Sequence, residues 1–365
     1  MKHNKFIASC LIGILFSTTP VFASTTITTQ SNPKLLAKAS SKTDTQTSTK
    51  PILTVESAIS SALASNASLA LNAEEAKLIS EQLSSSNNLT AGGYQQKYIS
   101  QLQNEKDREY LIDSISYNVR STYNTVVLQK LQIENYQLDI DLKTIQLSQL
   151  ATKKNLGLVT ELEYNAAQLE LSNLKSTLAA AQSTLKSNMT NLGILTGRAI
   201  EQYNLESTIE YEPFTVKTNA IEPYFRGKVE SYLEHKHALV KSQENHMFEN
   251  YVYAPTYAEY LANKFSISST ETTLENTEDS LTQALLTSYS NLLALHEQIT
   301  TLEENYAFAK NQLKTYSLKY ELGLISKLDY LNQENALKDI EYNLLSLKNQ
   351  CSTLAEMLQK PWLMA

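Results

Sequence analysis

Gly157-Leu158-Val159-Thr160-Glu161-Leu162-Glu163-Tyr164 occurs a second time in this chain, as Gly323-Leu324-Ile325-Ser326-Lys327-Leu328-Asp329-Tyr330, 166 residues further on. Each copy reads as a sharp turn between two long helices. The glycine suits a left-handed C′ position that closes the incoming helix. The leucine after it occupies the apolar position of a Schellman motif. Thr160 and Ser326 stand as N-caps, with Glu163 and Asp329 three residues on, as a capping box requires. Val159 and Ile325 precede the caps, and Tyr164 and Tyr330 fall at N4, the spacing of a hydrophobic staple. One such turn is compatible with chance. Two turns that keep every role at one offset mark an internal duplication.

The duplication extends beyond the turns. Downstream of the first, Leu171, Leu174, Leu178, Ala181, Leu185, Leu192 and Leu195 recur at steps of three, four and seven, with Asn188 the one polar entry. The same offset leads to Leu337, Ile340, Leu344, Leu347, Cys351, Leu354 and Leu358. That pattern predicts an a/d seam. Upstream, Ile112, Val119, Val126, Ile133, Ile140 and Leu147 step by seven, and Leu131, Leu138 and Ile145 add a second stripe. A helix with two apolar stripes touches two neighbours at once, as in a sheet-like or tubular array of helices.

Composition agrees with long helices and few turns: only 8 Gly and 7 Pro occur among 365 residues. The net charge of −7 and the absence of a Lys/Arg cluster disfavour a nucleic-acid partner, and none is expected. Met1 to Lys5 forms a basic n-region, Phe6 to Phe16 an apolar h-region, and Val21-Phe22-Ala23 a signal-peptidase site, so residues 1–23 read as a signal peptide. The hydrophobic run lies mostly after Cys10, which argues against a lipoprotein processing box. Residues 24–50 are rich in Ser and Thr and read as a disordered spacer. Residues 51–220 form the first helical half-repeat with its connector, and 221–365 the second.

Helical patterns are expected from about Ser57 with an interruption at Asn66, then from Leu69 to Leu83, a break over Ser84 to Gly93, and a helix from Tyr94 to Asn155. After the first turn comes a helix from Glu161 to Leu195 and a connector containing Pro213. The second half repeats the scheme from Glu222-Pro223 to Asn250, with a tyrosine-rich break over Tyr251 to Tyr260 and a helix from Ala262 to Leu322. The last helix ends before Pro361. Both breaks then lie at one end of a rod, and both tight turns at the other. Tyr94 and Tyr98 belong to the first break, and Tyr251, Tyr253, Tyr257 and Tyr260 to the second. These six mark a candidate surface for a membrane, the cell wall or a partner, since tyrosine suits wet interfaces.

No nucleophile elbow, phosphate loop, dinucleotide fingerprint or zincin motif is present. His235 and His237 point to different faces of a helix, and neither they nor His246 and His296 complete a metal set. The acidic residues beside the turns serve as caps. The expectation is therefore no enzyme, no cofactor and no metal.

An exported chain with two halves of long helices joined by G-[LIV]-[VI]-[ST] turns resembles the outer-membrane efflux (TolC) family. Leu53-Thr54-Val55-Glu56-Ser57-Ala58-Ile59, with Asn66 and Leu69, is similar to that family's first helix, and Leu192-Gly193-Ile194-Leu195-Thr196-Gly197 to the end of its half-repeat. The resemblance covers about Leu53 to Leu363. It implies an all-α fold of long antiparallel helical hairpins in two tandem repeats, forming a coiled-coil, α-barrel-like rod in a homotrimer. It also implies an efflux or type 1 secretion conduit in the cell envelope, whose turns Gly157, Leu158, Val159, Thr160 and Gly323, Leu324, Ile325, Ser326 dock a periplasmic adaptor (membrane fusion) protein that serves an inner-membrane transporter. The family carries paired β-strands at each helix break, and a membrane-spanning strand takes about 9–11 residues. These breaks are too short for such pairs, so little or no β-barrel is expected. A structural coiled-coil protein of the envelope without a transport role is the alternative.

Overall fold

A computed structural model describes residues 50–85, 91–209, 211–249 and 256–365. The expected signal peptide and all of the expected spacer except Lys50 lie outside the described residues, as do Tyr251 and Tyr253. Among the described residues there are seven α-helices: α1 (Val55–Ser65), α2 (Ala67–Ser84), α3 (Ala91–Asn155), α4 (Glu161–Thr196), α5 (Ile221–Glu249), α6 (Tyr257–Glu321) and α7 (Lys327–Gln359). α3 and α6 are 65 residues each, or about 100 Å at 1.5 Å per residue.

Local chemistry sets most of the helix ends. Thr54 caps α1 through Ser57 N–H, and Asn66 ends α1 while its Oδ1 accepts from Ser68 and Leu69 N–H to start α2. α4 stops at Gly197, which takes a left-handed φ of 66°. One element has no sequence signal: β1 (Ile52–Leu53) pairs in parallel with β2 (Asn204–Leu205), only two residues each. The Tyr123 hydroxyl clamps this bridge by donating to Leu53 O at 2.6 Å. Burial pushes the Tyr123 phenol up to about 12, so it stays a donor across the accessible pH range.

The helices form a layered array. Around the tight-turn half the neighbours run α4, α3, α7, α6; around the other half they run α2, α3, α5, α6. α3 therefore has helices on both sides throughout, which is what its two apolar stripes call for. Val119 and Val126 of the first stripe are fully buried and Ile140 nearly so; Leu131, Leu138 and Ile145 of the second are half-buried. α4 and α6 are edge helices and bury one face only. Two cores lie mid-rod. One joins β1, α1, α3 and α4 through Leu53, Ala62, Val119, Tyr123 and Leu192; the other joins α5, α6 and α7 through Phe225, Leu233, Leu285, Leu292, Cys351 and Leu358. Each fully buried leucine contributes about 1.5–3 kcal/mol by transfer from water.

The seam between the halves is different in kind. α3 and α7 meet antiparallel through polar pairs: Lys360 with Asp113 (2.8 Å), Arg120 with Glu356, Asn124 with Asn349 (2.8 Å), Asn135 with Asp339 (3.2 Å) and Asn335 with Asp139 (2.9 Å). Such pairs add little net stability, but a slipped register would leave them unpaired, so they specify the alignment of the two halves. The two Asn-Asp pairs are reciprocal: Asn-x-x-x-Asp on each helix faces the same sequence on the other.

Three sequence expectations need correction. α3 starts at Ala91 and not at Tyr94, so Gly92 and Gly93 lie inside it. The first turn tolerates glycine, and about 1 kcal/mol apiece is small against a helix packed along its length. Tyr94, Tyr98, Tyr257 and Tyr260 accordingly belong to the first two turns of α3 and the first turn of α6. On the α4 seam Leu195 is exposed and Thr196 takes the buried place after Leu192. A straight helix of 3.6 residues per turn drifts off a strict seven-residue repeat, and Thr196 meets its own polarity by donating to Leu192 O at 2.7 Å.

Candidate functional site: two matched turn tips

The two turns have the same backbone. Gly157 and Gly323 have φ of 72° and 71°. Leu158 N–H donates to Lys153 O and Gly157 N–H to Lys154 O, both at 2.9 Å; the second turn repeats this with Leu324 to Lys319 O (2.8 Å) and Gly323 to Tyr320 O (2.9 Å). Those are the two bonds of a Schellman motif, and they satisfy carbonyls that the helix end leaves open. The outgoing helices start with complete capping boxes. Glu163 N–H donates to Thr160 Oγ1 (3.2 Å) and Thr160 N–H to Glu163 Oε2 (2.8 Å); Asp329 and Ser326 make the same exchange at 3.1 Å each way.

These boxes account for the carboxylates beside the turns. Backbone and hydroxyl donors of Thr160 hold the Glu163 carboxyl below the usual range, and the Ser326 hydroxyl and N–H do the same for Asp329. Both acids are thus ionised caps, unsuited to giving up or taking a proton near neutral pH.

What the tips present outward is apolar. Leu158 and Leu324 are 72% and 69% exposed, and Leu156 and Leu322, just before the glycines, are 69% and 73% exposed. Val159 and Ile325 are half-buried, as staple residues are. Thr160 and Ser326 are exposed but occupied by their caps. Leu156 and Leu322 were not singled out in the sequence, although their identity at the 166-residue offset was the available signal. Each tip therefore carries a pair of largely exposed leucines, one of them at the apolar position of the Schellman motif.

At the opposite end, Tyr94 and Tyr98 are half exposed on α3, and Tyr257 is 69% exposed on α6 with its ring stacked on Tyr260 at 6.1 Å. Leu261 and Phe265 extend the exposed α6 face, Phe265 to 75%. α2 and α3 are separated by residues 85–90, and α5 and α6 by residues 250–256. Among the described residues β1 and β2 are the only strands, and no helix is long and apolar enough to cross a membrane. No three His, Cys, Asp or Glu side chains converge as a metal site among them.

The sequence of residues 257–362, which is α6, the second tip, α7 and the turn after it, matches the family model described as outer membrane efflux protein. No curated protein matches the sequence. Solved structures resemble the whole rod. The outer-membrane channel OprN is similar with a TM-score of 0.61 at 10% identity, over 85% of this chain and 90% of that one. CusC, whose structures concern folding and transmembrane channel formation, gives 0.58 at 14% identity over 84% and 91%. The Campylobacter jejuni outer membrane channel CmeC gives 0.57 at 14% identity over 84% and 85%. At such identities the likeness is one of fold. The second half of this chain thus matches the outer membrane efflux protein family in sequence, and the described chain is a TolC-like helical rod in which neither helix break holds a described β-strand.

Proposed function

We propose that this protein is an exported, envelope-located component of an efflux or type 1 secretion conduit, assembled as a trimer and docking an adaptor protein through its two turn tips. The observation that carries the reading is the pair of tips. Each is closed by the same Schellman bonds, held by the same capping box, and crowned by two exposed leucines. All four leucines stand largely exposed, so their duplication points to an outside partner.

The edges of the array support assembly. Leu169 and Ile194 on α4, Leu71 and Leu78 on α2, and Phe265, Phe308 and Leu318 on α6 are each more than half exposed. α2 and α4 form one edge and α6 the other, so copies meet head to tail, and a closed ring follows if the rotation closes. The tyrosine-bearing end then stands where the outer-membrane channels carry their barrel, and we assign it to contact with a membrane surface, the cell wall or a separate pore protein. In this reading the chain itself has no catalytic role, and an inner-membrane transporter works through the adaptor.

The test is capture of the adaptor, which co-purification of the chain from its own cells would supply. Leu158→Asp combined with Leu324→Asp should abolish capture while circular dichroism retains the helical signal. Undiminished capture by the double variant would reject the docking role.

A further inference from the structure

A second surface, far in sequence from the tips, brings aromatic rings and carboxylates together. α2, α3, α5 and the segment after α7 enclose an open groove of about 470 Å³. Tyr110, Tyr232 and Trp362 line it as one aromatic cluster, with Tyr110 centroids 5.2 Å from Tyr232 and 4.6 Å from Trp362. Glu75 and Asp107 line it beside them. Each of these carboxylates accepts one amide hydrogen bond, Glu75 from Asn104 and Asp107 from Gln103. Among the described residues neither forms an ion pair.

Asn72 supplies an independent observation. It is 94% buried, lines the groove, and its Oδ1 has no hydrogen-bond partner. Its orientation is settled by its other end, because Nδ2 donates to Asn104 O at 3.1 Å. An acceptor held in place this way and left unpaired is costly unless something donates to it. The Tyr110 phenol is pushed up to about 12 by burial first, and then by Tyr232, Asp107, Glu109 and Glu234. The chain's own Lys236 already uses one ring of the cluster, with Nζ 4.9 Å from the Tyr232 centroid.

We propose that this groove binds a small organic cation, an ammonium on an apolar body, with the charge against Glu75, Asp107 and Asn72 Oδ1 and the body against Trp362 and Tyr110. Two carboxylates and an amide oxygen alone would also suit a metal ion, but a wall of aromatic rings favours an ammonium with an apolar surface. The site stands apart from the tips and does not depend on the conduit reading.

The chain has a single tryptophan, so its fluorescence reports this groove alone. Benzylammonium, whose N–H groups can donate to Asn72 Oδ1, titrated into the full mature chain should shift Trp362 emission saturably at millimolar concentration, whereas phenylacetate, with the opposite charge, should not. Glu75→Gln with Asp107→Asn keeps both hydrogen-bond acceptors and should weaken the benzylammonium midpoint about tenfold or more. The single Glu75→Gln variant, at an exposed position, serves if the double variant loses helical signal. An unchanged midpoint in a folded variant, an equal response to phenylacetate, or no saturable shift would each overturn the proposal. None of these outcomes bears on adaptor capture.

Discussion

Lys154 Nζ lies 4.6 Å from the ring centroid of Tyr164, and at the same two places of the second tip Tyr320 stacks on Tyr330, centroids 5.4 Å apart and planes 19° from parallel. The duplicated turn has kept its geometry and changed the chemistry that braces it. A cation over a ring and a ring over a ring fill the same space, and each is worth about 0.5–1 kcal/mol at an exposed site. The two tips are therefore alike in backbone and leucines but not in charge. A partner that grips both meets two related, non-identical surfaces.

Gly157 and Gly323 hold the left-handed positions of the tips. A Cβ at either has open space, with nothing within 4 Å, so the cost of a side chain is backbone strain alone. Gly157→Ala or Gly323→Ala should cost about 1 kcal/mol or more, and Gly→Val somewhat above that. The tips lie far from both cores, so the loss should appear as local opening. Amide exchange of the tip segment should speed up while the global melting temperature moves little. Unchanged tip exchange in both variants would contradict the left-handed assignment.

The capping carboxylates set a pH dependence with a definite sign. Glu163 and Asp329 are held below their ordinary values by the caps. Their contribution is present above the unfolded-state carboxylate range and is lost as pH falls through the depressed folded values. Carbon-detected titration should place Glu163 below an ordinary glutamate, and Thr160→Ala should return it to the ordinary value. An ordinary value in the unaltered chain would rule out the box in solution.

Asp339 should act in the opposite direction. Burial first, and then the facing Asp139, push its carboxyl up, against a smaller opposing effect of Asn135. A raised carboxyl makes the folded state bind its proton more tightly, so stability falls as pH rises through the carboxylate range. Asp339→Asn keeps an acceptor for Asn135 and removes the repulsion. It should raise the melting temperature at pH 7 and lose that advantage under acidic conditions where Asp339 is already protonated. A lower melting temperature at pH 7 would show that the charge at 339 is a net benefit to the seam.

Edge helices α4 and α6 carry the assembly prediction. Light scattering of the mature chain should give a trimer, and Leu169→Glu with Phe308→Glu should shift it to monomer without loss of helix, because both side chains are largely exposed. A stable monomer at micromolar concentration in the unaltered chain would remove the trimer from the reading.

The short connectors at the tyrosine end predict the absence of a pore. Residues 85–90 and 250–256 are the whole separation between the helices there, and one spanning strand alone takes about 9–11 residues. Purified mature protein should give no stepwise conductance in a planar bilayer. Stable steps would mean that the chain reaches across the membrane by another route.

Much of the molecule was legible in the sequence because its signals are local. Helix periodicity, the cap residues and the glycines of the two tips each act within a few residues, and the chain carries them twice, so Gly157, Thr160, Glu163 and their partners at 323, 326 and 329 were readable in detail. What only the tertiary structure decided rests on contacts between residues far apart. Nothing in Asn135 or Asp339 announces that they meet, since polar residues at seam positions read as solvated until the opposing helix is in place. Leu53 and Leu205 form a two-residue bridge too short for any pattern, held by a tyrosine 70 residues from Leu53. Thr196 replaced Leu195 because a helix of 3.6 residues per turn drifts off the seven-residue count, and the packing of the whole helix sets which residue is buried. The cation groove gathers α2, α3, α5 and Trp362 into one place, and only the fold brings those four segments within reach of a single ligand.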